Sequence, residues 1–333
     1  MQRRIFAIVF SLLLLSTSKL FAQDPHFAQF YSNPIFLNPA YAGSKLCPRF
    51  ALNYRDQWPS MPGHFRTYSA SYDQHFDKIS GGIGVLAFGD RQGNGQISTH
   101  SAHFMYSFHL KVSRKFQMRF ALQAGYQQKA LDWDALIWGD MIDARYGIVY
   151  PTNEVRPDNL TSHNFDCAAG FIGYTEYLYF GMAAHHFTMP YESFVTQTNR
   201  LPIRWTGHVG AYIDLKRKSK KEHSFGDISI SPNVIYQHQR TFHYLNSGFY
   251  LNFYPFNVGV WVRNSFVKHD PVDAVVVMFG VEWDIFKVAY SYDITVGKNS
   301  ALTGGAHEVS VNFQLRCPET KHRVKPLKCP SPN

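Results

Sequence analysis

The chain has 333 residues, of which 45% are hydrophobic, 16% aromatic and only 17% charged, with a formal net charge of +9. Few charges among many aromatics exclude disorder, and the lack of repeated apolar runs of about 20 residues excludes a helical membrane bundle. A large β-structure remains, with an outer-membrane barrel as the leading class.

From the amino end, Met1–Ala22 has the form of a secretory signal peptide. Arg3 and Arg4 precede an apolar run from Ile5 to Leu15, and Leu20-Phe21-Ala22 gives a small-residue exit. No cysteine stands at the expected cleavage site, the first being Cys47, so a lipoprotein anchor is not expected there. Cleavage before Gln23 removes Arg3, Arg4 and Lys19, leaving 30 of the 33 basic residues against 24 acids and lowering the charge from +9 to +6. Residues 23–48 form a segment ahead of the first strand, expected on the periplasmic side. It carries Asn33-Pro34 and Asn38-Pro39, where proline fixes φ and keeps the preceding asparagine out of helix. Phe27, Phe30, Tyr31, Ile35, Phe36 and Leu37 need cover, which the periplasmic mouth of the barrel or its interior would give.

Beyond about residue 48 the sequence turns to two-residue alternation, the mark of strands with two unlike faces. Strands are expected at 49–57, 66–75, 79–89, 98–110, 115–130, 163–173, 176–186, 201–213, 227–239, 243–253, 256–266, 273–282, 285–293 and 306–316. In the last, Val309, Val311, Phe313 and Leu315 oppose Glu308, Ser310, Asn312 and Gln314. Such strands are long enough to cross a bilayer when tilted; their apolar faces would meet lipid and their polar faces line the interior. The fold expected is all-β, a transmembrane antiparallel barrel of about 14 strands over 49–316 with a basic periplasmic tail at 317–333.

With the amino end periplasmic, the odd-numbered connections face outward, and the longest loop, about Asp132 to Ser162, is one of them. Tight turns near Ser113-Arg114, Tyr174-Thr175, Tyr254-Pro255 and Trp283-Asp284 face inward. The long basic turn 214–226 and the short outer connection near Arg240 are exceptions. Trp58, Trp205, Trp261 and Trp283 lie near strand ends and fit interfacial girdles.

Two basic clusters stand out: Lys216, Arg217, Lys218, Lys220 and Lys221 in the inner turn, and Lys321, Arg323, Lys325 and Lys328 in the tail. An exported chain rarely meets nucleic acid, so these are either solvated turns or a docking surface for an acidic protein or anionic lipid. Pro318, Pro326, Pro330 and Pro332 keep the tail out of helix and ladder. Cys317 and Cys329 could bridge within the tail, Cys47 being a rival partner and Cys167 standing mid-strand. The sixteen histidines suggest metal, yet His185 and His186 are strand neighbours expected on opposite faces, as are His100 and His103. His307-Glu308 lacks the second histidine of a helical zinc motif. Gly81, Gly82 and Gly84 lie in a strand, where glycine permits curvature or close contact. Neither catalysis nor a cofactor is expected.

Gln23, Asp24, Pro25, Phe27 and Gln29, then Asn33-Pro34, then Leu37-Asn38-Pro39-Ala40 and Ala42-Gly43, resemble the opening of the PorP/SprF family, with Ala28 where the family usually has serine. Tyr292-Asp293 followed by Thr303-Gly304-Gly305-Ala306-His307-Glu308 is similar to the family's closing hairpin, so the resemblance spans essentially the whole mature chain. It implies an outer-membrane component of the type IX secretion system of Bacteroidota. The partners it implies are periplasmic ring or adaptor proteins, and cargo with a C-terminal sorting domain or a gliding adhesin. A porin-like channel for small solutes is the competing class, because a polar interior suits it equally; a structural adhesin is a third.

Overall fold

The computed structural model describes residues 24–93, 96–194, 200–216, 227–266, 272–296, 303–316 and 329. Among these, the alternating stretches form a closed antiparallel barrel of 14 strands. They are β1 (Arg49–Gln57), β2 (Phe65–Phe76), β3 (Gly81–Gln92), β4 (Ile97–Lys111), β5 (Gln117–Leu131), β6 (Thr161–Tyr174) and β7 (Leu178–His185). Then follow β8 (Arg204–Ala211, carried on past Tyr212 by Ile213–Lys216), β9 (Ile228–Gln239), β10 (Phe242–Phe253), β11 (Phe256–Ser265), β12 (Val272–Trp283), β13 (Phe286–Thr295) and β14 (Ala306–Gln314). Each pairs with the next, and β14 pairs back onto β1 from Arg49 opposite Gln314 to Gln57 opposite Ala306. Among the described strands no sheet edge is left open in the lipid, where unpaired backbone groups could not be hydrated.

Because side chains alternate along a strand, each strand sorts its sequence into two environments. In β1, Phe50, Leu52 and Tyr54 face outward, whereas Ala51, Asn53 and Arg55 are buried inside. In β13 and β14, Phe286, Val288, Tyr290 and Val309 face out, while Ser291, Asp293, Glu308 and Ser310 face in. The outer face is therefore apolar and the inner face polar, the arrangement of a barrel in the outer membrane.

The two ends differ. One carries the short turns 77–80, 112–116, 175–177, 254–255 and 284–285, together with the start of β1 and the end of β14. The other carries 58–64, the long loop 132–160 and the connection 186–203. The two-residue turn at Arg240-Thr241 also lies at this long-loop end, with Arg240 at φ 54, as a tight hairpin requires.

Residues 24–48 lie inside the lumen, one of the two places open to them. Both Asn-Pro pairs start a short turn of helix, α1 (Pro34–Leu37) and a 3-10 turn (Pro39–Tyr41); the Asn38 side chain accepts the Ala40 N–H at 2.9 Å. Phe30, Tyr31, Ile35, Leu37 and Tyr41 form the hydrophobic core together with Tyr174, Tyr179, Tyr250 and Trp261 from the wall. Trp261 is thus not a girdle residue. It is 2% exposed and packs its ring 5.2 Å from Phe30, because the alternation of β11 turns it inward with Gly259 and Arg263. Trp205 and Trp283 do face outward.

Candidate functional site

This lumen segment, residues 24–48, is a plug held to the wall by polar contacts, most of them made by wall side chains that alternation has turned inward. At the short-turn end, the Gly43 N–H donates to Asp73 at 2.8 Å, and Arg49 holds the same carboxylate at 2.8 Å. Arg119 donates to the Ala42 carbonyl and the Ser107 hydroxyl to the Ala40 carbonyl. Gly43 has φ +68, and a Cβ there would stand 2.7 Å from the Gly82 Cα. The glycines of β3 serve close approach, as expected: the plug backbone passes directly over Gly82.

Midway, Asn38 donates through Nδ2 to the carbonyls of Phe171 and Met182, and Asn33 donates to Ser69 at 2.7 Å. Toward the long-loop end, the Ala28 and Gln29 N–H groups donate to the Glu308 carboxylate at 2.7 and 3.0 Å. The Gln29 amide also reaches Ser291 and the Glu308 carbonyl. Glu308 belongs to a buried network in which Arg55 bridges Glu308 and Asp293, and Arg263 meets Asp293 at 3.0 Å. Buried charges are tolerated when paired and hydrogen-bonded, and here each carboxylate has a cationic partner.

The outermost anchor is Asp24. It lies 2.8 Å from His186 and 3.3 Å from Arg204, and its N–H donates to Gln239. His185 and His186 do not point to opposite faces as strand neighbours should. β7 stops at His185, and His186 takes φ 63, which turns its ring back over the lumen between Asp24 and Asp166. Burial pushes the Asp24 carboxyl up, but the adjacent His186 and Arg204 pull it well below the usual carboxylate range. The His186 imidazole is opposed by burial yet raised by Asp24 and Asp166 to about 9. Among the described residues, no group of three or more His, Cys, Asp or Glu side chains has the arrangement of a metal site.

Of the motif residues, Asp24, Pro25, Phe27, Gln29, Asn33, Pro34, Leu37, Asn38, Pro39, Ala40, Ala42 and Gly43 all lie in the plug, while Gln23 is outside the described residues. The motif is therefore a lumen-filling sequence: Asn38 and Gln29 satisfy wall carbonyls, Asn33 bonds the Ser69 hydroxyl, and Gly43 allows backbone contact. Sequence reasoning missed the partners, namely Glu308, Asp73, Arg55, Arg119, Arg204 and His186. Their one signal was charge on the lipid-averse face of predicted strands.

The cysteine expectation is corrected. Cys47 is disulfide-bonded and Cys329 is a thiol, 3% exposed, so the bridge between Cys317 and Cys329 is not formed. Cys329 joins the lumen cluster with Tyr31, Tyr41, Tyr174 and Tyr179, where a thiol behaves as a small hydrophobe. This part of the expected periplasmic tail is thus inside the barrel. Lys216 is exposed at the short-turn end. Arg217, Lys218, Lys220, Lys221, Cys317, Lys321, Arg323, Lys325 and Lys328 lie outside the described residues.

The chain matches, over residues 19–313, the family described as Type IX secretion system membrane protein PorP/SprF. No curated protein gives a significant match. Among solved structures it is similar to the TodX deltaS2S3 mutant monoaromatic hydrocarbon channel, at 9% identity over 84% of this chain and 92% of that one, with a TM-score of 0.47. A Pseudomonas aeruginosa FadL homologue matches at 10% identity over 90% and 96%, TM-score 0.43. The Acinetobacter baumannii outer membrane protein Omp33 matches at 9% identity over 81% and 100%, TM-score 0.41. At this distance none of the three speaks to function.

Proposed function

Because this chain belongs to the PorP/SprF family of type IX secretion system membrane proteins, we propose that it works as a closed outer-membrane scaffold for export or surface attachment of cargo, and not as a solute channel. The observation that carries the reading is the plug. A segment tied by Asp73, Arg119, Glu308 and Arg204 to opposite walls stands across the lumen, where a solute would have to pass. The family motif is thereby spent on closing the lumen.

In this reading the short-turn end faces the periplasm, following the general pattern of bacterial barrels, and docks the ring or adaptor proteins. Lys216 and the basic cluster it begins would attract an acidic partner, with the tail residues Lys321, Arg323, Lys325 and Lys328 adding to the same field. The long loops meet cargo or a gliding adhesin. Loop 132–160 suits that role: Asp140 accepts from Thr152 and Asn153, and Asp143 from the N–H groups of Arg145 and Tyr146. These bonds hold exposed Tyr146, Tyr150 and Val155 on an ordered frame, and ordered aromatics are favoured anchors for partners.

Two measurements test the proposal. Purified barrel in a planar bilayer should show no steady conductance, and deleting the gene should remove secreted or surface-attached proteins. Large stable currents together with an unchanged set of secreted proteins would establish the channel instead.

A further inference from the structure

The outer surface of the wall carries a cationic pair at one place in its long-loop half. Arg66 on β2 and Arg91 on β3 are there the only lysine or arginine side chains that the described strands turn outward; Arg55, Lys129, Arg204 and Arg263 face the lumen. The two arginines are exposed and stand directly opposite each other in the β2–β3 register. Like charges so placed repel. Among the described residues neither guanidinium has a carboxylate at ion-pair distance, and the Arg91 side chain makes no hydrogen bond. Asp56 lies opposite Arg66 on β1, but it accepts from His64 Nδ1 at 2.7 Å, while His64 Nε2 accepts from Arg66 at 2.7 Å. One carboxylate against two guanidinium groups leaves a positive charge uncompensated.

The same three strands grade from cationic to apolar below this pair. Two residues deeper, Tyr68 lies with its ring over Gly89 and its hydroxyl toward His100, and exposed tyrosines mark the level of the membrane interface. Two residues deeper again, Ala70, Ala87 and Ala102 stand side by side on β2, β3 and β4, all exposed. Leu52 on β1 and Tyr126 on β5 close the row at its two ends. Three methyl groups between larger side chains leave the wall low there. Four residues at about 3.4 Å rise, on strands tilted by about 40°, put the alanines roughly 10 Å deeper than the arginines. That is the step from the headgroup layer into the hydrocarbon.

We propose that this strip of β2–β4 binds a phosphorylated lipid, its phosphate between Arg66 and Arg91 and an acyl chain over the alanine row. Guanidinium groups suit phosphate because their planar N–H forks meet two oxygens at once. Neither a free anion nor an acidic protein would use an alanine row at hydrocarbon depth. The leaflet, that of the long-loop side, rests on the orientation proposed above; the binding itself does not.

Native mass spectrometry of the detergent-purified mature protein tests the proposal, with dioleoyl phosphatidic acid as probe and dioleoylglycerol, which lacks only the phosphate, as contrast. Wild type should retain the phosphorylated lipid about tenfold more than the neutral one. Arg66→Ala with Arg91→Ala should weaken that retention about tenfold or more. Arg114→Ala with Lys115→Ala, which removes the same charge at the short-turn end, should leave it unchanged. Ala87→Trp, which fills the alanine row with both arginines intact, should also weaken it. Foldedness is read from heat-dependent migration on a gel. Equal retention of the two lipids would overturn the proposal, as would wild-type binding by the folded arginine pair variant or by folded Ala87→Trp. Displacement of the lipid by inorganic phosphate at equal concentration would make this a free-anion site, and displacement by polyglutamate would give the surface to an acidic protein; either refutes the lipid.

Discussion

Glu308 is the residue whose loss should unseat the plug. Its carboxylate is fully buried, accepts the N–H groups of Ala28 at 2.7 Å and Gln29 at 3.0 Å, and pairs with Arg55 at 3.1 Å. Glu308→Ala strands both N–H groups and removes one of the two carboxylates that neutralise Arg55. Breaking a buried pair by deleting one partner costs about 3–5 kcal/mol. That cost falls on the plugged state, because water can reach the stranded groups only if the segment lifts away from β14. At 1.4 kcal/mol per factor of ten, the equilibrium between seated and displaced plug should shift by roughly two to three and a half powers of ten. Hydrogen exchange over residues 26–33, read by mass spectrometry, should accelerate by about that factor, and current steps should appear in planar bilayers. Glu308→Gln keeps one carbonyl acceptor but loses the charge, and should fall between. If Glu308→Ala exchanges as slowly as the wild type and passes no current, the plug is not held by this anchor and the argument fails.

Gly43→Val places a branched side chain at φ +68 and against the Gly82 backbone; backbone strain alone costs about 1–3 kcal/mol, seen as a lower temperature for loss of folded gel migration. The Asp24 latch has a pH window. The Asp24 carboxyl is depressed when folded, so its contribution is complete above its unfolded value of 3.8 and is lost as pH falls further. The His186 imidazole is raised from 6.5 to about 9, so its contribution is complete below 6.5 and is lost as pH rises through 9. Exchange of the amides near Asp24, corrected for intrinsic rate, should be most protected between those limits and rise on both sides. Asn153 is exposed in loop 132–160, so a tag there should be labelled on intact cells; a tag reached only after permeabilisation would invert the assigned orientation.

The wall was legible in the sequence because a strand is a local object. Val309 and Glu308 declare opposite faces by adjacency alone, and repetition of that pattern sets the number of strands and the direction of each residue. Connection lengths supplied the two ends by the same local reasoning, and the motif opening at Gln23 supplied the family. What the sequence left open is everything that crosses the lumen. Ala28 and Glu308 are 280 residues apart, Gly43 and Asp73 only 30, yet both contacts exist only because closure brings opposite walls within reach of one central segment. The same closure turns Trp261 from a girdle into a plug contact and draws Cys329 inside. His186 escapes strand alternation because a left-handed backbone ends the strand there, held by Asp24 and Asp166 from distant elements. Periodicity dictates which side of the wall a residue faces; only the packed tertiary structure decides what it meets there.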